Sequence, residues 1–227
     1  MNIQLVVFDI AGTTVVDKGN INEAFRGAFL NAGYAVAAED VDKVMGYRKT
    51  DAIKSILEKY KHQSQNDNAD VIEIIHTDFT KNMVRFYEED TELKPMPFAE
   101  SVFEQLQNKG IKIALNTGFT TVIMDVILNR LGWNNSLLIN AVISSDQVPE
   151  GRPHSFMIKK IMQQLKIDDP FDVAKVGDTK ADIEEGRNAG CGLVVAVTTG
   201  AYSREQLREY NPDYIIDSLQ QLPALIH

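Results

Sequence analysis

The chain has 227 residues, with 23 Lys and Arg against 32 Asp and Glu, and a formal net charge of −9. Its 44% hydrophobic and 24% charged residues exclude wholesale disorder. The acidic balance argues against general nucleic-acid binding, which needs a clustered basic surface, and the single cysteine, Cys191, excludes an internal disulfide and a cysteine-based zinc site. No run approaches the roughly 20 apolar residues that span a bilayer, and the first residues carry no basic leader. A cytoplasmic protein without a membrane partner is expected.

The first apolar run, residues 5–8, is continuous and stops at Asp9, which suits a strand buried on both faces of a parallel sheet. From about residue 20 to 92 no strand is legible. Apolar residues there fall at helical spacing: Ala24, Ala28 and Phe29; Ile53, Ile56 and Leu57; then Val71, Ile74, Ile75, Phe79, Met83, Phe86 and Tyr87. Gly33 and Gly46 punctuate the stretch, and the polar run 62–68 reads as a loop. Segments 16–19 and 93–97 read as linkers, since Lys94-Pro95-Met96-Pro97 cannot continue a helix.

Beyond this stretch, apolar runs at 111–115, 141–143, 173–176, 193–197 and 214–216 alternate with helical patterns near 98–109, 119–132, 154–166 and 180–189. Alternation of this kind means βαβ units and a parallel sheet covered by helices on both faces. The predicted architecture is a Rossmann-like, three-layer α/β/α core of residues 1–16 and 97–227. A helical cap of residues 17–96 is inserted after its first strand.

Ligands of parallel α/β sheets sit beyond the carboxyl ends of the strands. Asp9-Ile10-Ala11-Gly12-Thr13-Thr14 follows the first strand, Asn116-Thr117-Gly118 the second, and Gly177-Asp178-Thr179-Lys180-Ala181-Asp182 the fourth, while Gly151-Arg152-Pro153 precedes the helix near 154. Singly, each has an ordinary explanation: an Asp that ends a strand often caps the next helix, and an isolated arginine is usually a surface residue. Together they place three carboxylates, an arginine and a row of hydroxyls on one sheet edge. Oxygen ligands of this kind suit Mg²⁺, and turn amides, threonine hydroxyls and Arg152 suit the oxygens of a phosphoryl group. The chain has no Gly-x-x-x-x-Gly-Lys-Ser/Thr loop, which argues against a P-loop nucleotidase.

Asp9-x-Ala11-Gly12-Thr13-Thr14, the Thr117-Gly118 strand end and Val176-Gly177-Asp178-Thr179-x-x-Asp182 resemble the motifs of the haloacid dehalogenase superfamily. The resemblance covers the whole chain, the helical insertion corresponding to that family's cap. It implies Mg²⁺-dependent phosphoryl transfer with Asp9 as the nucleophile. Asp9, the Ala11 carbonyl and Asp178 would hold the metal, with Asp182 and Thr179 in support. Gly12, Thr13, Thr117, Gly118 and Arg152 would surround the phosphoryl group of a small anionic substrate.

One departure is specific. Phosphatases of that superfamily carry a second Asp two residues after the nucleophile, and here the position is Ala11, which has no proton to give. Loss of such a group costs a phosphate monoesterase ~10²–10⁴-fold. The combination of Ala11 with Met45-Gly46-Tyr47-Arg48-Lys49 resembles the phosphonoacetaldehyde hydrolase (phosphonatase) branch, in which a cap lysine forms an imine with an aldehyde substrate. Val148-Pro149-x-Gly151-Arg152-Pro153 and Lys175-Val176-Gly177-Asp178-Thr179 resemble the same branch. By that resemblance Lys49 is the imine-forming residue and Met45 lies against the substrate. A C–P bond leaves a carbanion, and a protonated imine can take up its electrons, so Lys49 replaces the missing acid. Lys49 must be neutral to attack, which requires a lowered pKa; Arg48 is a neighbouring cation that could add to the local positive field.

The branch pattern is incomplete. Ala52 stands where some members have a histidine, Phe119 where they have a tyrosine, and no cysteine occupies the first linker near Gly19. A phosphate monoesterase with a non-standard acid therefore stays open, as does a catalytically idle binding protein, which the retained Asp9, Asp178 and Asp182 argue against. His62, His76, His154 and His227 lack metal-ligand spacing, Cys191 reads as a small buried hydrophobe, and Trp133 as packing at a helix end. The apolar helix 24–30 would allow the cap-to-cap homodimer that the branch implies.

Overall fold

The computed structural model describes residues 2–60 and 69–226, so the expected loop at 62–68, His62 and His227 lie outside the described residues. Six parallel strands form one sheet: β1 (Leu5–Asp9), β2 (Lys112–Thr117), β3 (Ala141–Ser144), β4 (Val173–Gly177), β5 (Leu193–Val197) and β6 (Tyr214–Ile216), in the order β3-β2-β1-β4-β5-β6. β1, β4 and β5 are buried at every residue, as runs that are apolar apart from Asp9 and Lys175 require. The predicted second strand is carried two residues further, so Asn116 and Thr117 belong to the strand and are fixed by its ladder. Asp9 is level with Asn116, and Thr117 with Ser144.

The chain leaves β1 on one side towards β2 and β3 and returns on the other through β4, β5 and β6. That reversal puts the crevice for a ligand outside the ends of β1, β2 and β4. α7 (Phe156–Leu165) and α8 (Lys180–Ala189) pack on each other and on the strands, while α5 (Ala99–Asn108) packs on β2 beside a 3₁₀ turn at Leu219–Ala224. Right-handed crossovers set α7 and α8 on the face opposite α5. Phe8, Phe103 and Trp133 join edge to face at 5.2 and 5.7 Å, and the Trp133 Nε1–H donates to Glu100 Oε1 at 2.8 Å just after α6 (Thr121–Leu131).

Among the described residues between β1 and α5 the regular elements are helices: α1 (Asn20–Asn31), α2 (Ala38–Asp42), α3 (Lys49–Lys59) and α4 (Ala69–Glu89). Ile21, Phe25, Ala28 and Phe29 make one buried stripe on α1, and Ile75, Phe79, Met83 and Tyr87 make another on α4. The stripes meet where Phe25 and Phe79 pack edge to face at 5.0 Å. The two connections run side by side, Val15 bridging Pro95 and the Met96 N–H donating to the Thr14 carbonyl at 2.8 Å. A late helix, α9 (Arg204–Arg208), was not legible in the sequence. No helix among the described residues is long and apolar enough to cross a membrane.

Two arginines fasten the helical insertion to the core. Arg130 of α6 reaches the end of α4, where it donates to the carbonyls of Tyr87 at 3.0 Å, Glu88, and Asp90 at 2.8 Å. A cation at a helix C-terminus satisfies carbonyls that have no partner within the helix. Arg48, just ahead of α3, donates to the carbonyls of Ser145, Val148 at 2.5 Å and Pro149 at 2.7 Å in the loop after β3. With its guanidinium committed to these carbonyls, Arg48 serves as a clamp and adds no free cation to a ligand site.

Candidate active site

The structure brings Asp9, Ala11, Met45, Lys49, Thr117, Gly118, Asp178 and Thr179 around one small pocket between the sheet edge and the helical insertion. Two glycines let the walls meet. A Cβ on Gly118 would lie 2.5 Å from the Gly46 carbonyl oxygen and 2.6 Å from that of Tyr47, and Gly46 itself has φ +83°.

Asp9, Asp178 and Asp182 are buried, with ligand oxygens all within 4.8 Å of one another. Burial pushes Asp9 up to about 6, the pull of Arg152 and Lys175 offsetting part of that and the charge of Asp182 adding to it. Asp178 is pushed well above the usual carboxylate range by burial and by the charges of Asp9 and Asp182. Its Oδ1 accepts from Thr13 Oγ1 at 2.9 Å and its Oδ2 from the Ala201 N–H at 2.7 Å. Asp182 is held low, since Arg152 and Lys175 outweigh its burial. It spends Oδ2 on the hydroxyl of Thr179 at 2.6 Å, closing the capping box that starts α8. Crowded carboxylates that protonate rather than ionise together are a donor set short of positive charge. A hard divalent cation, taken by oxygen ligands, fits that set.

Arg152 differs from its sequence expectation. It is fully buried and hydrogen-bonds to protein: Nε to Glu185 Oε2 at 3.0 Å, Nη1 to Asp9 Oδ1 at 2.6 Å, and Nη2 to Asn116 O at 2.8 Å and Oδ1 at 2.6 Å, with Asp182 Oδ1 an ion-pair neighbour of Nη1 at 3.0 Å. These bonds use four of the guanidinium's five N–H donors, and its charge is already paired with three carboxylates. Arg152 orients Asp9 instead, and does not line the pocket. Thr13 is likewise turned away, towards Asp178. Gly12 lies in the turn beside Asp178, its carbonyl taken by Thr199 Oγ1 at 2.7 Å. Thr117 lines the pocket and its Oγ1 accepts from the Phe119 N–H at 3.1 Å.

Sequence reasoning missed three partners. Lys175, fully buried in β4, meets Asn116 Oδ1 at 2.7 Å, Asp182 Oδ1 at 2.9 Å and Glu185 Oε2 at 3.4 Å. Asn116 gives its amide N–H₂ to Glu185 at 3.0 and 2.9 Å. The available signal was a lysine inside an otherwise apolar strand, and a Glu three residues after Asp182 on the same helix face.

Lys49 opens α3 and is buried too, but its surroundings are apolar. Its Nζ lies 5.7, 5.8 and 5.4 Å from the ring centroids of Phe25, Phe79 and Phe119. Burial lowers its pKa to about 8; Asp9 and Asp17 pull it back up and Arg152 adds to the lowering. Asp17, from the connection after β1, shares the pocket wall. Cys191 is buried just before β5, its thiol pushed up to about 12 mainly by burial. His76 is half-buried on α4, and His154 is exposed, 3.5 Å from Glu150.

Comparison with known proteins identifies the family. The model of the haloacid dehalogenase-like hydrolases matches residues 6–196. The chain belongs to that family. It is 33% identical to a phosphonoacetaldehyde hydrolase of Bacillus cereus over 208 residues, 86% of this hydrolase and 75% of the relative. It is 30% identical to one of Bacteroides fragilis over 256 aligned residues, 99% of this hydrolase and 95% of the relative. A phosphonoacetaldehyde hydrolase like protein from Oleispira antarctica, 24% identical, superimposes with a TM-score of 0.84 over 99% of this hydrolase and 91% of that chain.

Proposed function

We propose that this hydrolase cleaves the C–P bond of phosphonoacetaldehyde or a related 2-oxo-phosphonate. The observation that carries the reading is a buried lysine with a lowered pKa in the same pocket as Asp9, with Ala11 where a phosphatase acid would stand. The names of the curated relatives support it.

In this reading the neutral Lys49 amine adds to the aldehyde carbon, and loss of water gives an iminium. The C–P electrons flow into that iminium as the phosphoryl group passes to a carboxylate oxygen of Asp9. An enamine remains on Lys49, is protonated at carbon and is hydrolysed to the aldehyde, while water cleaves the aspartyl-phosphate. The three rings offer their faces to the iminium cation, each worth about 0.5–1 kcal/mol or more when desolvated. Thr117, Gly118 and Gly12 border the phosphoryl group, and Met45 packs on the organic part.

Asp9, the Ala11 carbonyl and Asp178 would hold Mg²⁺, with Asp182 and Thr179 behind them; the ion would offset the carboxylates and draw charge off the phosphoryl oxygens. Residues 17–96 act as the cap, closing over the pocket through Gly46 and Gly118. Leu30 and Ile74, exposed on α1 and α4, are the apolar side chains a cap-to-cap dimer would cover.

Equimolar release of acetaldehyde and orthophosphate from phosphonoacetaldehyde in Mg²⁺ is the expected result. Turnover of phosphate esters alone, undiminished in Lys49→Arg, would make the enzyme a phosphatase instead. Because Asp9 and Asp178 hold protons unusually well, Mg²⁺ binding should release protons and weaken as the pH falls below about 6. Calorimetry in buffers of different ionisation enthalpy measures this.

A further inference from the structure

Imine formation moves protons: the carbinolamine loses its hydroxyl as water only when an acid protonates it. The pocket holds four titratable side chains, Asp9, Asp17, Lys49 and Asp178. Asp9 and Asp178 belong to the phosphoryl and metal chemistry. Ala52, buried one helical turn after Lys49, Ala11 and Phe119 have no proton to give. Asp17 is the remaining acid, on the same wall as Lys49 and beside the first residues of α1.

We propose that Asp17 is the acid–base partner of Lys49 in forming and hydrolysing the imine. The inference rests on the imine reading above. Lys49 Nζ bonds to the aldehyde carbon, and its proton moves to the oxygen to leave a neutral carbinolamine. Asp17 then gives its proton to that hydroxyl, the C–O bond breaks, water leaves, and the carboxylate is left facing an iminium cation. After C–P cleavage and protonation of the enamine carbon, a water adds to the iminium. Asp17 takes the proton from that water, and the carbinolamine collapses to aldehyde and amine.

Supporting the assignment, burial raises the pKa of Asp17, against the pull of the Gly19, Asn20 and Ile21 amides and of Lys49. Tyr87 of α4 is another titratable group on which its charge acts. The charges of Asp9, Arg152 and Asp17 act on Lys49, which acts in turn on His76 of α4. Desolvation disfavours the charged form of both members of the pair, raising Asp17 and lowering Lys49.

The test is rapid-quench borohydride trapping on the full chain with Mg²⁺ and phosphonoacetaldehyde, comparing wild type, Asp17→Asn and Asp17→Glu. Asp17→Asn should slow adduct formation by about 10²-fold or more. Asp17→Glu should recover part of the rate. The wild-type rate should hold a plateau between two pH limbs, and in Asp17→Asn it should climb with the neutral fraction of Lys49. Orthophosphate binding with Mg²⁺ should persist in Asp17→Asn and report a folded site. A wild-type adduct with Asp17→Asn trapping at the same rate overturns the assignment alone. So does an equal loss in Asp17→Glu with an unchanged pH profile, which would mark a structural role. No adduct in the wild type overturns the imine reading and this inference with it.

Discussion

Lys175 and Lys49 are both buried lysines near one pocket, and their surroundings are opposite. Lys175 lies within β4 of the sheet against Asp182, Glu185 and Asn116, part of a network in which Arg152 ties the same carboxylates to Asp9. Lys49 lies under the helical insertion against three phenylalanine rings, and burial holds it near 8. A buried cation costs much less free energy when oppositely charged groups surround it; without them it tends to lose its proton. The core has therefore built a fixed charge that positions Asp9. The insertion has built an amine of which about a tenth is neutral at pH 7. In the proposed reaction the two regions divide the phosphoryl chemistry and the aldehyde chemistry between them.

The comparison breaks most completely at Lys49. Lys49→Arg keeps a cation but cannot form an imine, and should lower turnover of phosphonoacetaldehyde by about 10⁴-fold or more in a steady-state assay. Next is Lys175→Met, which leaves Asp182 and Glu185 short of a partner in a dry site. It should destabilise the fold by about 3–5 kcal/mol in denaturant unfolding, whereas Lys49→Met should cost far less because no carboxylate loses an ion pair. A smaller effect is expected of Gly118→Ala. Its Cβ would press on the Gly46 and Tyr47 carbonyls and hold the two walls apart. Turnover should fall by about 10²-fold with melting temperature nearly unchanged. The smallest is Phe119→Leu, which removes one ring from Lys49 and should weaken the iminium by about 0.5–1 kcal/mol, read as a few-fold smaller fraction of enzyme trapped by a borohydride pulse at steady state.

Much of this division was legible in the residues. β1, β4 and β5 are apolar runs, Lys175 in β4 excepted, because helices cover both faces, and α1 and α4 show the spacing of helices with a single buried stripe. The strand-end motifs led to Asp9, Asp178 and Thr117 because sheet topology alone carries those positions to one edge. Arg152 was misread for a physical reason. A sequence shows that a guanidinium is present but not that Asn116 and Glu185 have already claimed its donors. Asn116 sits level with Asp9 only through the β1–β2 register. The rings about Lys49 come from α1, α4 and the turn after β2, three places with no sequence relation, so a cage could not be anticipated from spacing.

In the proposed reaction Lys49 is a buried nucleophilic amine placed with Asp9 for one substrate. Borohydride reduction in the presence of phosphonoacetaldehyde, followed by peptide mass mapping, examines that role at the residue itself. One adduct is expected, on Lys49, with irreversible loss of activity. An adduct spread over surface lysines, or activity that survives reduction, would contradict it.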